Sequence, residues 1–218
     1  MEIQQFTFNP YQENTYVISD QNGNCAIIDP GCYTQEEQAQ LRDYITSSGL
    51  KPIYLLNTHG HIDHMLGNDF VKKTFDIPFI THEKVKAELD SVPGYASMMG
   101  LSVVPSPAPD QLVDDGDMLT VGDLELKVYF TPGHSPGHIS FYHKESKNLF
   151  SGDVLFQGSI GRVDLPGGSM EILMESIFEK VVPLGDDVVV WPGHGPETSV
   201  GVEKKTNYFM LAYSQGSL

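Results

Sequence analysis

Short apolar runs rich in β-branched and aromatic residues open the chain and predict β-strands. They cover residues 3–8, 15–19 and 25–28, and runs of this kind bounded by turn residues are typical of strands. The dipeptides Asn9-Pro10 and Asn22-Gly23 supply turn chemistry between them. We therefore expect an antiparallel meander at the start of the fold.

The pattern then changes to alternating strands and helices. Thr34 and Glu37 fit a capping box, and Gly49 supplies a stop, so a helix is predicted over residues 34–48. Further elements follow at shorter intervals, with strands predicted at 52–56 and 79–80 and helices at 65–75 and 83–89. This alternation indicates β/α units.

Residues 91–116 interrupt the alternation. They contain four prolines and little periodicity, so we predict a long surface loop, and such loops in compact domains are often functional. Beyond it the pattern predicts strands at 118–121, 124–130, 139–142, 148–151 and 188–191, and helices at 170–181 and 200–212. This order favours an α+β fold in which two β-sheets pack face to face with helices outside, formed as a single domain over residues 1–218.

Composition and charge make several functional classes unfavourable. The 218 residues carry 13 Lys and Arg against 29 Asp and Glu, a formal charge of −16, so nucleic acids and anionic membrane surfaces would be repelled. The N-terminal residues lack the basic and apolar regions of a targeting segment, and no apolar run approaches the ~20 residues of a membrane span. We expect a cytoplasmic protein in which Cys25 and Cys32 are reduced packing residues. The sequence indicates no oligomeric state.

The segment richest in chemistry is Thr58-His59-Gly60-His61-Ile62-Asp63-His64, directly after the predicted strand 52–56. A lone histidine is usually a packed or solvated residue, but three histidines and an aspartate at this spacing indicate a metal site. If the segment is extended, His59, His61 and Asp63 project to one side, because side chains alternate along a strand. His64 would then point elsewhere and could serve a second ion.

Three later junctions have a similar form. An apolar strand runs into a turn with glycine, which lets the backbone bend sharply and present the next polar residue at the sheet edge. The junctions are Phe130-Thr131-Pro132-Gly133-His134, Phe150-Ser151-Gly152-Asp153 and Val190-Trp191-Pro192-Gly193-His194. We expect their terminal residues to complete a two-metal site.

With these motifs the sequence resembles the metallo-β-lactamase fold hydrolases, and among them the short glyoxalase II-like thioesterases. The broader likeness is carried by the H-x-H-x-D-H motif and the later His, Asp and His. The narrower likeness rests on Asn9-Pro10 with Asn14-Thr15-Tyr16, Thr131-Pro132-Gly133-His134 with Pro136-Gly137-His138, Gly158-Ser159-Ile160-Gly161-Arg162 with Asp164-Leu165-Pro166-Gly167-Gly168, and Pro192-Gly193-His194-Gly195-Pro196-Glu197-Thr198. These segments cover nearly the whole chain. The resemblance implies a four-layer αββα sandwich of the metallo-β-lactamase type.

The resemblance also implies a ligand set for two divalent metal ions. It assigns His59, His61 and His134 to the first ion, Asp63, His64 and His194 to the second, and Asp153 as the bridging carboxylate. Imidazole and carboxylate donors without a thiolate favour zinc, with iron or manganese as alternatives. Two such ions ~3.5–4 Å apart can share a hydroxide whose parent water has a pKa of ~7. Asp63 is expected to orient this hydroxide as well as to bind metal.

The activity implied is hydrolysis of a small thioester, since a thiolate is a good leaving group. A 2-hydroxyacyl thioester of glutathione or of another small thiol fits this expectation. The alternative on the same fold is a persulfide dioxygenase-like oxidoreductase, which uses one iron and oxygen.

Arg162 and the apolar segment 93–101 each allow two interpretations. Arg162, in the glycine-rich loop, could clamp a substrate carboxylate, or it could pair with Asp164 or Glu197 as a structural strut. The apolar segment 93–101 could face a substrate or partner, or pack into the core. His138 is expected to orient a metal ligand from outside the metal's own shell.

Overall fold

The strands of the first half of the chain form one six-stranded sheet. The computed structural model describes residues 1–217. In this sheet the strands lie in chain order: β1 (Glu2–Phe8), β2 (Glu13–Ser19), β3 (Asn24–Ile28), β4 (Lys51–Leu56), β5 (Phe79–Thr81) and β6 (Gln111–Leu112). The first three strands are antiparallel, which confirms the predicted meander, and β3 to β6 are parallel.

The strands of the second half form a second six-stranded sheet and a small hairpin. The chain supplies β7 (Met118–Val121), β8 (Leu124–Phe130), β9 (Ile139–His143), β10 (Asn148–Gly152), β11 (Leu155–Phe156), β12 (Ser159–Ile160), β13 (Val189–Pro192) and β14 (Thr198–Ser199). The sheet order is β14-β13-β10-β9-β8-β7, while β11 and β12 pair with each other. Only the β10 and β13 pair is parallel, so both large sheets are mixed.

Seven α-helices connect and flank these strands within the described residues. They are α1 (Gln35–Ser47), α2 (Ile62–Met65), α3 (Asn68–Phe75), α4 (Val85–Ala96), α5 (Met170–Ser176), α6 (Val200–Thr206) and α7 (Tyr208–Ser214). The predicted capping box of α1 is present: the Glu37 backbone donates to the Thr34 side chain, and the Glu37 carboxylate accepts from the Thr34 backbone. The predicted helix 170–181 is α5 continued by a π-helical turn, Ile177–Val181.

Two predicted helices differ from the observed ones. The helix predicted at 65–75 corresponds to α3, which begins only at Asn68; Met65 ends the separate short helix α2, and Gly67 between them leaves no room for a side chain beside Cys32. The helix predicted at 200–212 breaks at Asn207, whose side chain accepts from the backbone of Phe209 and Met210 and so starts α7. An asparagine that caps a new helix competes with continuation of the old one.

The prediction of a loop over residues 91–116 is wrong at its start, because α4 continues to Ala96. Pro93 lies within the helix, where it removes one backbone hydrogen bond. The apolar stripe of the helix nevertheless continues past it at helical spacing, and its burial outweighs that loss. The stripe consists of Val85, Leu89, Val92 and Ala96.

Three apolar clusters separate the layers. The first lies between the first sheet and α1, α3 and α4, the second between the two sheets, and the third between the second sheet and the helices α5 to α7. Strand β2 shows the division, because Val17 packs in the first cluster while Tyr16 and Ile18 pack in the second. The predicted sandwich of two mixed sheets with helices outside is therefore confirmed.

The ends of strands from both sheets meet at one edge of the sandwich. Backbone hydrogen bonds join the sheets there: Ile139 donates to Thr58 (2.9 Å) and Asn14 donates to Gly193 (2.7 Å). Loops that leave β4, β8, β10 and β13 consequently lie side by side. No helix among residues 1–217 is long and apolar enough to cross a membrane.

Candidate metal centre

The segment after β4 turns into a helix, and the turn determines which side chains meet. His61 is the N-cap of α2, and Asp63 already lies within the helix. The prediction that an extended segment projects His59, His61 and Asp63 to the same side is therefore wrong. The helical turn separates Asp63 from the first two histidines and places its Oδ2 atom 3.7 Å from His64 Nε2.

Three groups of three potential ligands lie at this edge, and one of them, Asp29 with His59 and His64, shares its histidines with the other two. Within each group the three ligand atoms are all within 4.8 Å of one another. The first trio consists of His59, His61 and His134, and the second trio of Asp63, His64 and His194. The structure thus groups these six residues as the resemblance assigned them to two ions.

Asp153 lies between the two trios. Its Oδ2 atom is 3.4 Å from His134 Nε2, in the first trio, and 3.6 Å from His194 Nε2, in the second. Its Oδ1 atom is 3.4 Å from His64 Nε2. One carboxylate therefore faces ligands of both trios, which is the arrangement a bridging ligand requires.

Several atoms that face the centre are buried without a hydrogen-bond partner among the described residues. They are His59 Nε2, His64 Nε2, His134 Nε2 and Asp153 Oδ1. Buried polar atoms are otherwise almost always paired, because an unpaired one costs about 1–3 kcal/mol. A cluster of unpaired imidazole nitrogens and a carboxylate oxygen matches the needs of divalent metal ions, which bind lone pairs.

The outer nitrogens of the histidines are held by hydrogen bonds that set the ring tautomer. His134 Nδ1 donates to the Arg162 carbonyl (2.7 Å), and His194 Nδ1 donates to the Gln12 carbonyl (3.3 Å). With its proton on Nδ1, a neutral ring points the lone pair of Nε2 toward the centre. Partners of this kind are what orient metal-binding histidines.

Asp29, at the end of β3, performs this role for two more histidines and was missed in the sequence. Its Oδ2 atom accepts from His64 Nδ1 (3.1 Å) and from Thr58 Oγ1 (2.6 Å). Because the Thr58 hydroxyl proton is used there, its oxygen is left to accept from His59 Nδ1 (3.0 Å). The signal was present as Asp29-Pro30-Gly31, another apolar strand that runs into a turn with glycine.

Burial and charge affect the two trios differently. Burial lowers the pKa of His59 and His134, and that of His61 to about 4, so these rings are neutral at pH 7. Burial also acts to lower the pKa of His64, but the carboxylates of Asp153 and Asp63 raise it well above the usual value. Likewise the pKa of His194 is raised against its burial by its hydrogen bond to Asp63.

The carboxylates of the centre are ionised. Burial opposes this, but the charge of His64 and the hydrogen bond from His194 lower the pKa of Asp63. The pKa of Asp153 is lowered far below its usual value, against its burial, by His64, His134 and His194. Both side chains can therefore act as anionic ligands at neutral pH.

His138 supports Asp153 rather than entering either trio. Its Nε2 atom accepts from the backbone N–H of Asp153 (3.0 Å), and its Nδ1 atom lies 3.1 Å from Thr131 Oγ1. Gly152 must be glycine beside it, since its φ is +49° and a Cβ there would be 2.6 Å from His138 Nε2. This position agrees with the predicted orienting role.

Arg162 forms the ion pair that was one of its two predicted roles. Its Nε and Nη2 atoms each donate to the Asp164 carboxylate at 2.7 Å, and both side chains are exposed. This hydrogen-bonded pair lowers the pKa of Asp164 to about 2. The partner is Asp164 and not Glu197, and the arginine carbonyl also accepts from His134. A contact with substrate stays a prediction.

Comparison with known proteins places this architecture in a family. The model of the metallo-beta-lactamase superfamily matches residues 8–194. The chain belongs to the metallo-beta-lactamase superfamily. Its fold and its two clusters of histidine and aspartate therefore imply divalent metal ions, and the superfamily assignment implies a metallo-hydrolase.

Two relatives align with this chain over almost its full length. The probable metallo-hydrolase YqgX of Bacillus subtilis is 41% identical, over 98% of this chain and 100% of the relative. The hydroxyacylglutathione hydrolase GloC of Haemophilus influenzae is 38% identical, over 98% of this chain and 100% of the relative. The predicted resemblance to the glyoxalase II-like group is thus confirmed.

Two solved structures of the superfamily superpose closely on the chain. BLEG-1, described as a B3 metallo-beta-lactamase, gives a TM-score of 0.89 at 37% identity and covers 96% of this chain and 99% of its own. TTHA1623 in a di-iron-bound form gives 0.84 at 35% identity, covering 94% and 99%. The second of these was described with two iron ions, so iron is one metal that a similar fold holds.

Proposed function

We propose that the chain is a dinuclear metal-dependent hydrolase that acts on a small thioester. The observation that carries the proposal is the position of Asp153 between two trios in which the buried Nε2 atoms of His59, His64 and His134 have no hydrogen-bond partner among the described residues. The end-to-end similarity to a hydroxyacylglutathione hydrolase supports the substrate class. A single-ion centre would leave one trio without a role.

When bound, two divalent ions supply a water acidified to a pKa of ~7 and an electrophile for the scissile carbonyl. The protein's own residues would hold the ions and orient the reacting groups. Asp63, ionised and hydrogen-bonded to His194 at 3.1 Å, offers a carboxylate that can orient an attacking water. In this role Asp63 would both bind metal and orient the nucleophile.

The surroundings of the centre suit a small substrate with an apolar part and a carboxylate. The ring of Phe156 meets His194 edge-on, with 6.2 Å between ring centroids, and offers an apolar wall beside the second trio. Arg162 keeps free N–H groups on its guanidinium beyond the two that bind Asp164, and these can clamp a substrate carboxylate. Both contacts are part of the proposal.

The donor set favours zinc, with iron or manganese as alternatives. All seven proposed ligands are imidazoles or carboxylates, which borderline and harder divalent ions accept. The two cysteines are buried and free, and both pack into the first apolar cluster, away from a ligand role. The net charge of −16 further disfavours a nucleic-acid substrate.

The test is the initial rate of hydrolysis of S-lactoylglutathione and of a simple acyl thioester, with chelator-stripped and metal-restored protein. Metal-dependent turnover of S-lactoylglutathione is expected. Turnover of the simple thioester alone would keep the thioesterase and discard glutathione as carrier. A cephalosporin serves as competing substrate because of the similarity to BLEG-1.

The persulfide dioxygenase-like alternative is separated by the same preparation. An iron-loaded sample given a persulfide would consume oxygen if that alternative held, and a hydrolase would not. Oxygen uptake together with failure to cleave any thioester would overturn the proposed function.

A further inference from the structure

Glu88, on α4, holds the two loops that carry the first trio. Its Oε2 atom accepts from the backbone N–H of Gly60 (2.8 Å), and its Oε1 atom accepts from Ser135 Oγ. Gly60 stands between His59 and His61, and Ser135 directly follows His134. A single carboxylate therefore links the neighbours of all three histidines.

The helix touches these loops directly. A Cβ at Gly60 would lie 2.6 Å from Glu88 Cβ and 3.1 Å from Val85 Cγ1, and a Cβ at Gly137 would lie 2.7 Å from the Val85 nitrogen. Distances this short leave no room for water between helix and loops. The first turns of α4 thus form the wall against which both loops are set.

The second trio is supported from elsewhere. His64 is held by Asp29 and His194 by the Gln12 carbonyl, and neither contact involves α4. Glu88 itself belongs to neither trio. Loss of Glu88 should consequently weaken metal binding chiefly at the first trio.

We infer that Glu88 is a positioning residue that fixes the spacing of the first trio and affects the second trio less, only through His138 and Asp153 and through the packing of α2 on α4. The inference rests on the proposed function in so far as the trios are metal sites. Without Glu88, the Gly60 N–H and the Ser135 hydroxyl lose their shared acceptor, and the loops at 59–61 and 133–138 are free to separate. Removal of an outer partner of this kind typically lowers metal affinity ~10–100-fold.

Two parent variants, each lacking one trio, allow zinc affinity to be measured at the other trio alone. His194→Ala disables the second trio, and His61→Ala disables the first, so each background reports zinc affinity at the other site by competition with a chromogenic chelator. Glu88→Ala should lower affinity by ~10–100-fold in the His194→Ala background. In the His61→Ala background the loss should be clearly smaller, because it reaches the second trio only indirectly, through His138 and Asp153 and the packing of α2 on α4.

The conservative variant separates hydrogen bonding from fold stability. In Glu88→Gln the amide oxygen can still accept from Gly60, and the amide nitrogen can donate to the Ser135 hydroxyl, so the loss should be smaller than ~10-fold. Ser135→Ala removes one of the two contacts and should give an intermediate loss. Asp90→Ala, an exposed carboxylate on the same helix, is the matched control and should match wild type.

Each outcome decides between the inference and the proposed function. Equal zinc affinities for Glu88→Ala and the parent in the His194→Ala background would overturn the inference alone. Equal losses in both backgrounds would overturn it too, because the role would then be general support of the fold. Wild-type protein that binds no divalent ion would overturn the proposed function and the inference with it.

Discussion

Replacing Gly193 by alanine should displace the bridging carboxylate without removing any ligand. Gly193 precedes His194 and is held at both ends: its N–H donates to Gly152 (2.9 Å) and its carbonyl accepts from Asn14 (2.7 Å). An added Cβ would lie 2.6 Å from His64 Cε1 and closer still to Asp153 Oδ1. The methyl group therefore points into the gap between two proposed ligands.

The size of the effect follows from these distances. Ordinary contact begins near 3.4 Å, so the His64 ring would have to move by about 0.8 Å. The ring is anchored by Asp29 at 3.1 Å, and Asp153 is held through its backbone by His138, so neither side chain can yield freely. Overpacking of this kind costs ~1–3 kcal/mol. A misplacement of ~1 Å can lower activity about 100-fold.

The assay combines zinc content per chain, thermal stability and kcat/KM on a thioester. Gly94→Ala is the matched control, because the same change on α4 meets nothing within 4 Å. There alanine should be neutral or stabilise by ~0.5–1 kcal/mol, as it does in helices generally. A Gly193→Ala protein with two zinc ions and wild-type kcat/KM would show that Asp153 does not act as a bridging ligand beside this gap.

Three further predictions concern the ligands and the substrate. Asp153→Ala should lose most bound metal and activity together, and two retained ions with full activity, measured by metal analysis and kinetics, would contradict a bridge. Arg162→Ala should raise KM for carboxylate-bearing thioesters and leave neutral ones little changed, whereas equal losses on both would favour the strut. Lowering the pH from about 8 to about 6 should weaken the second ion more than the first in calorimetric titrations. The raised pKa values of His64 and His194 let protons compete there, while the lowered pKa values of the first trio's histidines reduce that competition. Equal weakening of both ions would contradict the difference between the trios.

The sequence predicted the layered fold because its strands are short apolar runs, which are typical of strands buried on both faces. Cys25 and Ile27 pack toward the helices, while Ala26 and Ile28 pack toward the second sheet. An apolar run of this kind indicates a strand, but it does not show which other strands pair with it. The order of strands in each sheet could not be read this way, because pairing depends on contacts distant in the chain.

The site was predictable where its residues follow one local rule. His134, Asp153 and His194 each come after an apolar strand and a turn that contains glycine, and strand ends of one sandwich meet at one edge. The direction of Asp63 was not predictable from alternation, since it depends on a helix of four residues that begins one position earlier. A helix this short carries no periodic signal of its own.

The positioning role of Glu88 could not be predicted from the sequence for another reason. It lies on a helix whose pattern indicates ordinary amphipathic packing, and a glutamate on such a helix is most often solvated. Its importance comes from Gly60, which has no side chain and so allows the helix to approach the loop between His59 and His61. The contact is a property of two distant segments and appears only when both are folded.

The two halves of the centre therefore differ in what the fold must supply. The first trio consists of neutral imidazoles in a buried setting, so the fold has only to hold their spacing, and the loops around Glu88 do this. The second trio adds the charge of Asp63 beside His64 and His194, so its rings tend to keep protons until an ion displaces them. Since Asp153 belongs to both halves, an ion in the first trio draws on the same carboxylate that raises the pKa of His64. Loading of the first site should for that reason ease release of the proton from the second.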